Sequence, residues 1–321
     1  MTRIGYQIPD FDYPGVGPDQ LFEAVARQAE AAERAGFDTV MVMDHFYQLP
    51  VLGQPDSYML ECYSLLSALS QRTSRVRLGA LVTGNTYRNP ALLAKTVTTL
   101  DIVSGGRAQL GIGAGWFELE HRSLGFPFGT FAERFDKLEE ALQIIVPMLR
   151  DERPTVAGRH YQVTEAINQP APIGRVPVVI GGAGERRTLR LVARFADESN
   201  LLCSPPEIPR KLDVLAAHCE DVGRDRSEIT VSVLRSVHIG RTHEEAMATA
   251  RRYFAERGLD EEAFERARGL TMSVGDPDEL GEQFQAMRDA GVDGFVCNLP
   301  STGHDPENVE LLGKTLAAVV G

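Results

Sequence analysis

Thr39-Val40-Met41-Val42-Met43-Asp44-His45-Phe46 decides how this chain is read. An uninterrupted apolar run ends abruptly in an acid and a histidine. Without apolar–polar alternation, such a run suits a strand buried on both faces, as in a parallel sheet covered by helices. At the carboxyl end of such a strand, side chains reach the face where parallel α/β folds build their sites. His45 is therefore the first candidate for chemistry. Its competing reading is a satisfied structural histidine.

On either side of this stretch the chain alternates. Residues 3–8 read as a first strand, followed by a Pro/Gly-rich loop to Pro18. Leu21, Phe22, Val25, Ala29 and Ala32 then recur at helical spacing, and Gly36 closes that helix. Downstream come a helix over 59–71, a strand over 75–82, a helix opened by Asn89-Pro90 and ended by Gly105-Gly106, and a strand over 108–112. Thr130 and Glu133 form a capping box ahead of an apolar stripe containing Leu138, Leu142 and Ile145. Further strands are expected over 176–180, 199–203, 229–239 and 294–299. Helices are expected over 185–195, from Ser204 to about 222, after Thr242, after Asp276, and over 307–320. About eight strands and at least eight helices imply an α/β fold, a (β/α)8 TIM barrel with insertions, spanning 1–321 as one domain. The insertions are a hairpin near 151–176, where prolines break the rhythm, and a helical excursion near 257–275.

The composition excludes several classes. A net charge of −12 argues against a nucleic-acid or anionic-membrane surface, since both select for basic patches. Cys62, Cys203, Cys219 and Cys297 show no metal or CxxC spacing and sit in or near apolar runs, as inert thiols in a reducing compartment do. The amino terminus lacks a signal-peptide pattern, and no segment approaches a membrane span. A cytoplasmic protein is expected.

Four constellations carry candidate chemistry. Adjacent strand residues point to opposite faces, so Asp44 does not simply orient the His45 ring if the strand continues through both. Histidine offers a proton near neutral pH. Leu81, Val82, Thr83 and Gly84 end the third strand, either as a plain turn or as backbone lying flat against a ring. Gly111-Ile112-Gly113-Ala114-Gly115-Trp116 ends the fourth. Its glycines let backbone approach a ligand or a neighbouring strand, and Trp116 breaks any dinucleotide-binding pattern. Trp116 and the adjacent Phe117 either floor a pocket or cover the barrel mouth. Glu118, Glu120 and His121 lack a supporting ligand set, so no metal site is expected. Gly181, Gly182, Ala183 and Gly184 run from a strand into a helix beside Arg186 and Arg187. That is either a tight turn or an anion site at a helix start.

In series these segments resemble the bacterial luciferase-like superfamily and, within it, the coenzyme F420-dependent oxidoreductases. The resemblance spans essentially the whole chain. It also includes Tyr87-Arg88-Asn89-Pro90, Ser104-Gly105-Gly106-Arg107, Gly158-Arg159-His160-Tyr161 and Ala290-Gly291-Val292-Asp293-Gly294.

That resemblance implies a barrel binding a flavin or deazaflavin at its carboxyl mouth. His45 would adjoin the ring and take part in proton transfer, with Asp44 at the cofactor's edge. Leu81, Val82 and Thr83 would form a bulge behind the ring, with a non-proline cis bond at Leu81-Val82. Gly113, Ala114 and Gly115 would line the site. Gly181, Gly182, Ala183 and Gly184 would hold the phosphate, and Trp116 and Phe117 would face the substrate pocket. Sugar-phosphate dehydrogenases of this family carry an acid where this chain has Trp116, which argues against glucose 6-phosphate; Gly115-Trp116 is closer to methylenetetrahydromethanopterin reductase-like relatives. The implied activity is hydride transfer between coenzyme F420 and a small organic substrate, in a homodimer. The alternatives are a two-component monooxygenase using FMN and O2, and a cofactor-free barrel acting as a binding protein.

Overall fold

The computed structural model describes residues 3–321. Its strands are β1 (Ile4–Ile8), β2 (Thr39–Val42), β3 (Arg77–Ala80), β4 (Thr83–Gly84), β5 (Leu110–Gly113), β6 (Val156–Ala157), β7 (Gln162–Val163), β8 (Val178–Gly181), β9 (Glu198–Leu201), β10 (Thr230–Ile239), β11 (Met272–Gly275) and β12 (Gly294–Asn298). All but β6 and β7 join one sheet in the order β3-β2-β1-β12-β10-β9-β8-β5-β4, with β11 added to β10. Every pairing in it is parallel. A bridge between Leu78 and Ala108 sets β3 against the approach to β5 and closes the ring. The result is a (β/α)8 barrel in which β3 and β4 share one strand position, parted by a cis peptide at Leu81-Val82.

The helices are α1 (Pro18–Arg34), α2 (Cys62–Leu69), α3 (Pro90–Ser104), α4 (Glu118–Leu124), α5 (Phe131–Met148), α6 (Thr188–Phe195), α7 (Ile208–Asp221), α8 (His243–Glu256), α9 (Glu261–Leu270), α10 (Pro277–Asp289) and α11 (Pro306–Val320). Local chemistry explains their bounds. Gly36 takes φ +87° after α1, a backbone region that favours glycine. The Asn89 side chain accepts from the first amides of α3, and Pro90 occupies its first turn. Thr130 and Glu133 form the capping box of α5, whose Leu138 and Leu142 are buried in the core. Each such leucine contributes about 1.5–3 kcal/mol of apolar burial.

β6 and β7 form the antiparallel hairpin expected near 151–176. Glu140 of α5 holds it, accepting from the amides of Arg159, His160 and Tyr161 at 2.8–2.9 Å. Some expectations shift. The helix expected from Glu185 begins at Thr188, because 185–187 form a turn. The excursion near 257–275 is not wholly helical: after α9 it returns as β11, pairing Ser236–Met272 through Ile239–Gly275. This excursion has its own small core of Ala246, Ala250, Phe264, Met272 and Val274, distinct from the main one. The four cysteines are buried and unpaired. Among the described residues, no helix is long and apolar enough to cross a membrane.

Candidate active site

The carboxyl ends of the strands surround a cavity of about 640 Å3, within the range of small-molecule sites. It gathers His45, Leu81, Val82, Thr83, Gly84, Gly113, Ala114, Gly115, Trp116, Gly181 and Gly182 from four separate strand ends.

β2 delivers His45, whose Nδ1 lies 3.0 Å from Glu120 Oε2. Glu120 is fully buried, and its carboxylate also accepts from the amides of Phe46 and Tyr47 and from the Tyr87 hydroxyl. Burial pushes the Glu120 carboxyl up, but the bonds from His45, Tyr87 and Tyr47 outweigh it and hold it below its ordinary value. Burial and the Glu120 charge push the Tyr87 phenol well up, so it stays protonated and donates. An ionised Glu120 only accepts, so Nδ1 carries the proton. Nε2 of His45 has no partner among the described residues, and the residue lines the cavity. This fixes the ring with one nitrogen committed and one available.

Asp44 behaves differently. Its buried carboxylate is bidentate to Arg88 at 2.6 and 2.9 Å and accepts from the Gly84 amide at 3.1 Å. Burial pushes the carboxyl up against the pull of Arg88. Asp44 is not among the cavity-lining residues. Expected at a cofactor's edge, it instead ties β2 to the segment following the bulge. Both residues follow the end of β2 at Val42, so their side chains are placed by their partners, Arg88 and Gly84 for Asp44 and Glu120 for His45.

The bulge is supported from within the barrel. Asn298 donates to Gln7 Oε1 at 2.8 Å, and Gln7 donates to the Leu81 carbonyl at 2.9 Å. Thr83 bonds the Tyr63 hydroxyl at 2.6 Å. The glycines of β5 and β8 make room for Val82: a Cβ at Gly113 would lie 2.9 Å, and one at Gly181 2.8 Å, from its methyl groups. Their bareness therefore accommodates a neighbouring side chain. Gly115 takes φ +80°, and Gly182 takes φ +116°.

The phosphate-loop residues divide. Gly181 and Gly182 line the cavity together with Thr188, while Ala183 and Gly184 lie outside its wall. α6 starts at Thr188 without a side-chain cap, and its Leu189 amide donates to the Gly184 carbonyl at 3.0 Å. Arg187 is not a free cation, since it pairs with Asp136. Arg134 is the one cation among the described lining residues, and it donates to the carbonyls of Gly115 and Gly129 at 3.0 Å.

Trp116 is 59% exposed, so it sits at the rim, not the floor. Its ring meets His45 edge-on at 5.8 Å. Phe117 is buried beside it, also edge-on to His45 at 5.8 Å, and does not line the cavity. Glu118, Glu120 and His121 do not converge: the His121 ring bonds the Phe117 carbonyl at 2.8 Å and the Thr86 hydroxyl at 2.6 Å. Glu120 as the partner of His45 is the residue that sequence reasoning missed. An acid on the inward face of a short helix was the available signal.

Fold and site together define an α/β barrel with a small-molecule-sized cavity at its carboxyl mouth. The profile of the luciferase-like monooxygenase family matches residues 2–294, and the chain belongs to that family. It is similar to an F420-dependent glucose-6-phosphate dehydrogenase of Microbacterium testaceum, with 30% identity over 95% of this chain and 93% of that one. It is also similar to a 5,10-methylenetetrahydromethanopterin reductase of Archaeoglobus fulgidus, 25% identical over 93% and 96% of the two chains. Among solved structures, an F420-dependent secondary alcohol dehydrogenase in complex with an F420-acetone adduct superposes with TM-score 0.82 over 99% of both chains. Its 20% identity speaks to the fold alone.

Proposed function

We propose that the protein is an F420-dependent oxidoreductase exchanging hydride with a small organic substrate. One observation carries this reading: residues 81–84, the bare strand ends at Gly113 and Gly181, and the Glu120-held His45 all line one cavity. The cavity fits a planar, phosphate-tailed group. The bulge and Leu234 offer apolar walls, and Gly182 and Thr188 bring the positive start of α6 to the cavity wall, where an anion is favoured.

When bound, the deazaflavin would supply the two-electron hydride exchange. The chain's own residues do the rest. Leu81, Val82, Thr83 and Gly113 would support the ring, and Gly181, Gly182 and Thr188 the phosphate. His45 would hold or release at Nε2 the proton that accompanies hydride movement, with Glu120 keeping the opposite nitrogen protonated. Trp116 at the rim would limit water entry. The luciferase-like family description also supports an FMN monooxygenase as a second reading.

Titration of the purified protein with F420 and with FMN, followed by fluorescence, tests the proposal. Saturable F420 binding, at least tenfold tighter than FMN, is expected. Tight FMN binding with no deazaflavin response would replace it with the monooxygenase. Indifference to both would leave a binding protein.

A further inference from the structure

A second chamber of about 380 Å3 adjoins the first. Val51, Leu52, Ser236 and Thr271 line both, so the two meet between the loop after β2 and the junction of α9 with β11. Along β10, Leu234 lines the first chamber, Ser236 both, and His238 the second. Alternate residues of a strand share a face, so one face of β10 leads from chamber to chamber.

The chemistry of the second chamber is apolar. Phe254, Leu259, Ala263, Ala267 and Met272 contribute its walls. Its buried polar groups are already engaged. His238 Nδ1 bonds the Ser301 hydroxyl at 2.9 Å, and Arg257 donates to the Leu52 carbonyl at 2.8 Å while stacking on the Tyr253 ring. Burial, aided by the Arg257 charge, pushes the His238 ring down to about 3, so it is neutral. Arg266, exposed, is the one charged side chain that lines the chamber. The chamber thus presents little to a sugar or a phosphate and much to methylene groups, and it shares four lining residues with the cavity that holds His45.

We propose that this chamber receives an aliphatic tail of the substrate, whose reacting end lies in the first chamber by His45. The substrate class is then an elongated molecule with an alkyl arm. The inference rests on the oxidoreductase reading for which end reacts, but not for where the arm lies.

Calorimetric titration of the protein with 1-butanol and 1-octanol, with and without saturating F420, tests it. Each buried methylene strengthens binding about fourfold, or about 0.8 kcal/mol, so 1-octanol should bind at least tenfold tighter than 1-butanol. Ala267→Trp or Ala263→Trp, which fill the chamber, should abolish that difference while changing F420 affinity less than twofold. Equal affinity for the two alcohols, or a chain-length dependence that survives both substitutions, would overturn the proposal. If both variants unfold, an eight-carbon alcohol with a terminal diazirine should photolabel the wild type within residues 253–272; labelling confined elsewhere would equally overturn it. Long-chain binding without any F420 binding would defeat the oxidoreductase reading alone.

Discussion

Glu120 holds His45 by its Nδ1 at 3.0 Å across 75 residues of sequence, from a carboxylate with no solvent exposure. The pair fixes both the ring's position and its tautomer. Proton transfer by such a group contributes about 10²–10⁴-fold. His45→Ala should therefore lower turnover with F420 by roughly 10²-fold or more while leaving cofactor affinity within about a factor of three. Glu120→Gln should cause a similar loss and also move the acid limb of the pH–rate profile. A profile that keeps its shape would mean Glu120 acts only in packing.

The fit of Val82 between bare strand ends predicts a reciprocal pair. Gly181→Ala places a methyl 2.8 Å from Val82, and overpacking of this kind costs about 1–3 kcal/mol. Val82→Ala in the same chain should recover most of that loss. A double-mutant cycle by chemical denaturation measures the coupling, and strictly additive effects would refute the fit.

Asp44→Asn separates structure from chemistry. Arg88 would keep Glu61 at 2.7 Å but lose its bidentate partner, which should cost about 1.5–3 kcal/mol of stability, as for a hydrogen bond to a charged group. The expected signature is a lower denaturation midpoint, with turnover per folded molecule reduced less than in His45→Ala. Unchanged stability alongside lost F420 affinity would return Asp44 to the cofactor's edge.

Acid should loosen the hairpin. Burial pushes the Glu140 carboxyl up, but the amides of His160, Tyr161 and Arg159 outweigh it and hold it below its ordinary 4.5. A depressed carboxyl contributes stability that is full above the unfolded value and lost as pH falls through the folded one. Amide exchange at His160 and Tyr161 should therefore accelerate as pH drops below about 4.5, after correction for intrinsic rates. Glu140→Gln should exchange faster at neutral pH and respond less to acid.

The barrel was legible because its signals are local. The buried run before Asp44, the Asn89-Pro90 cap and the Thr130–Glu133 box each specify an element without outside help. Part of the site was legible too, since the strand ends bearing His45, Leu81-Val82, Gly113 and Gly181 line one cavity. What escaped was set by distant partners. Glu120 looked like one acid in a charged helix, and only folding brings it to His45. Met272–Gly275 is too short to alternate and follows a helix rich in Glu and Arg, so its strand pairing is invisible until β10 lies beside it. The partner of Asp44, expected at the cofactor's edge, was likewise out of reach, since Arg88 meets it only in the fold.

Because α8, α9 and β11 pack around Phe264 and Met272 in a nucleus of their own, the second chamber can be reshaped there without disturbing the apolar core of the main barrel or the proton-handling corner beside Tyr87.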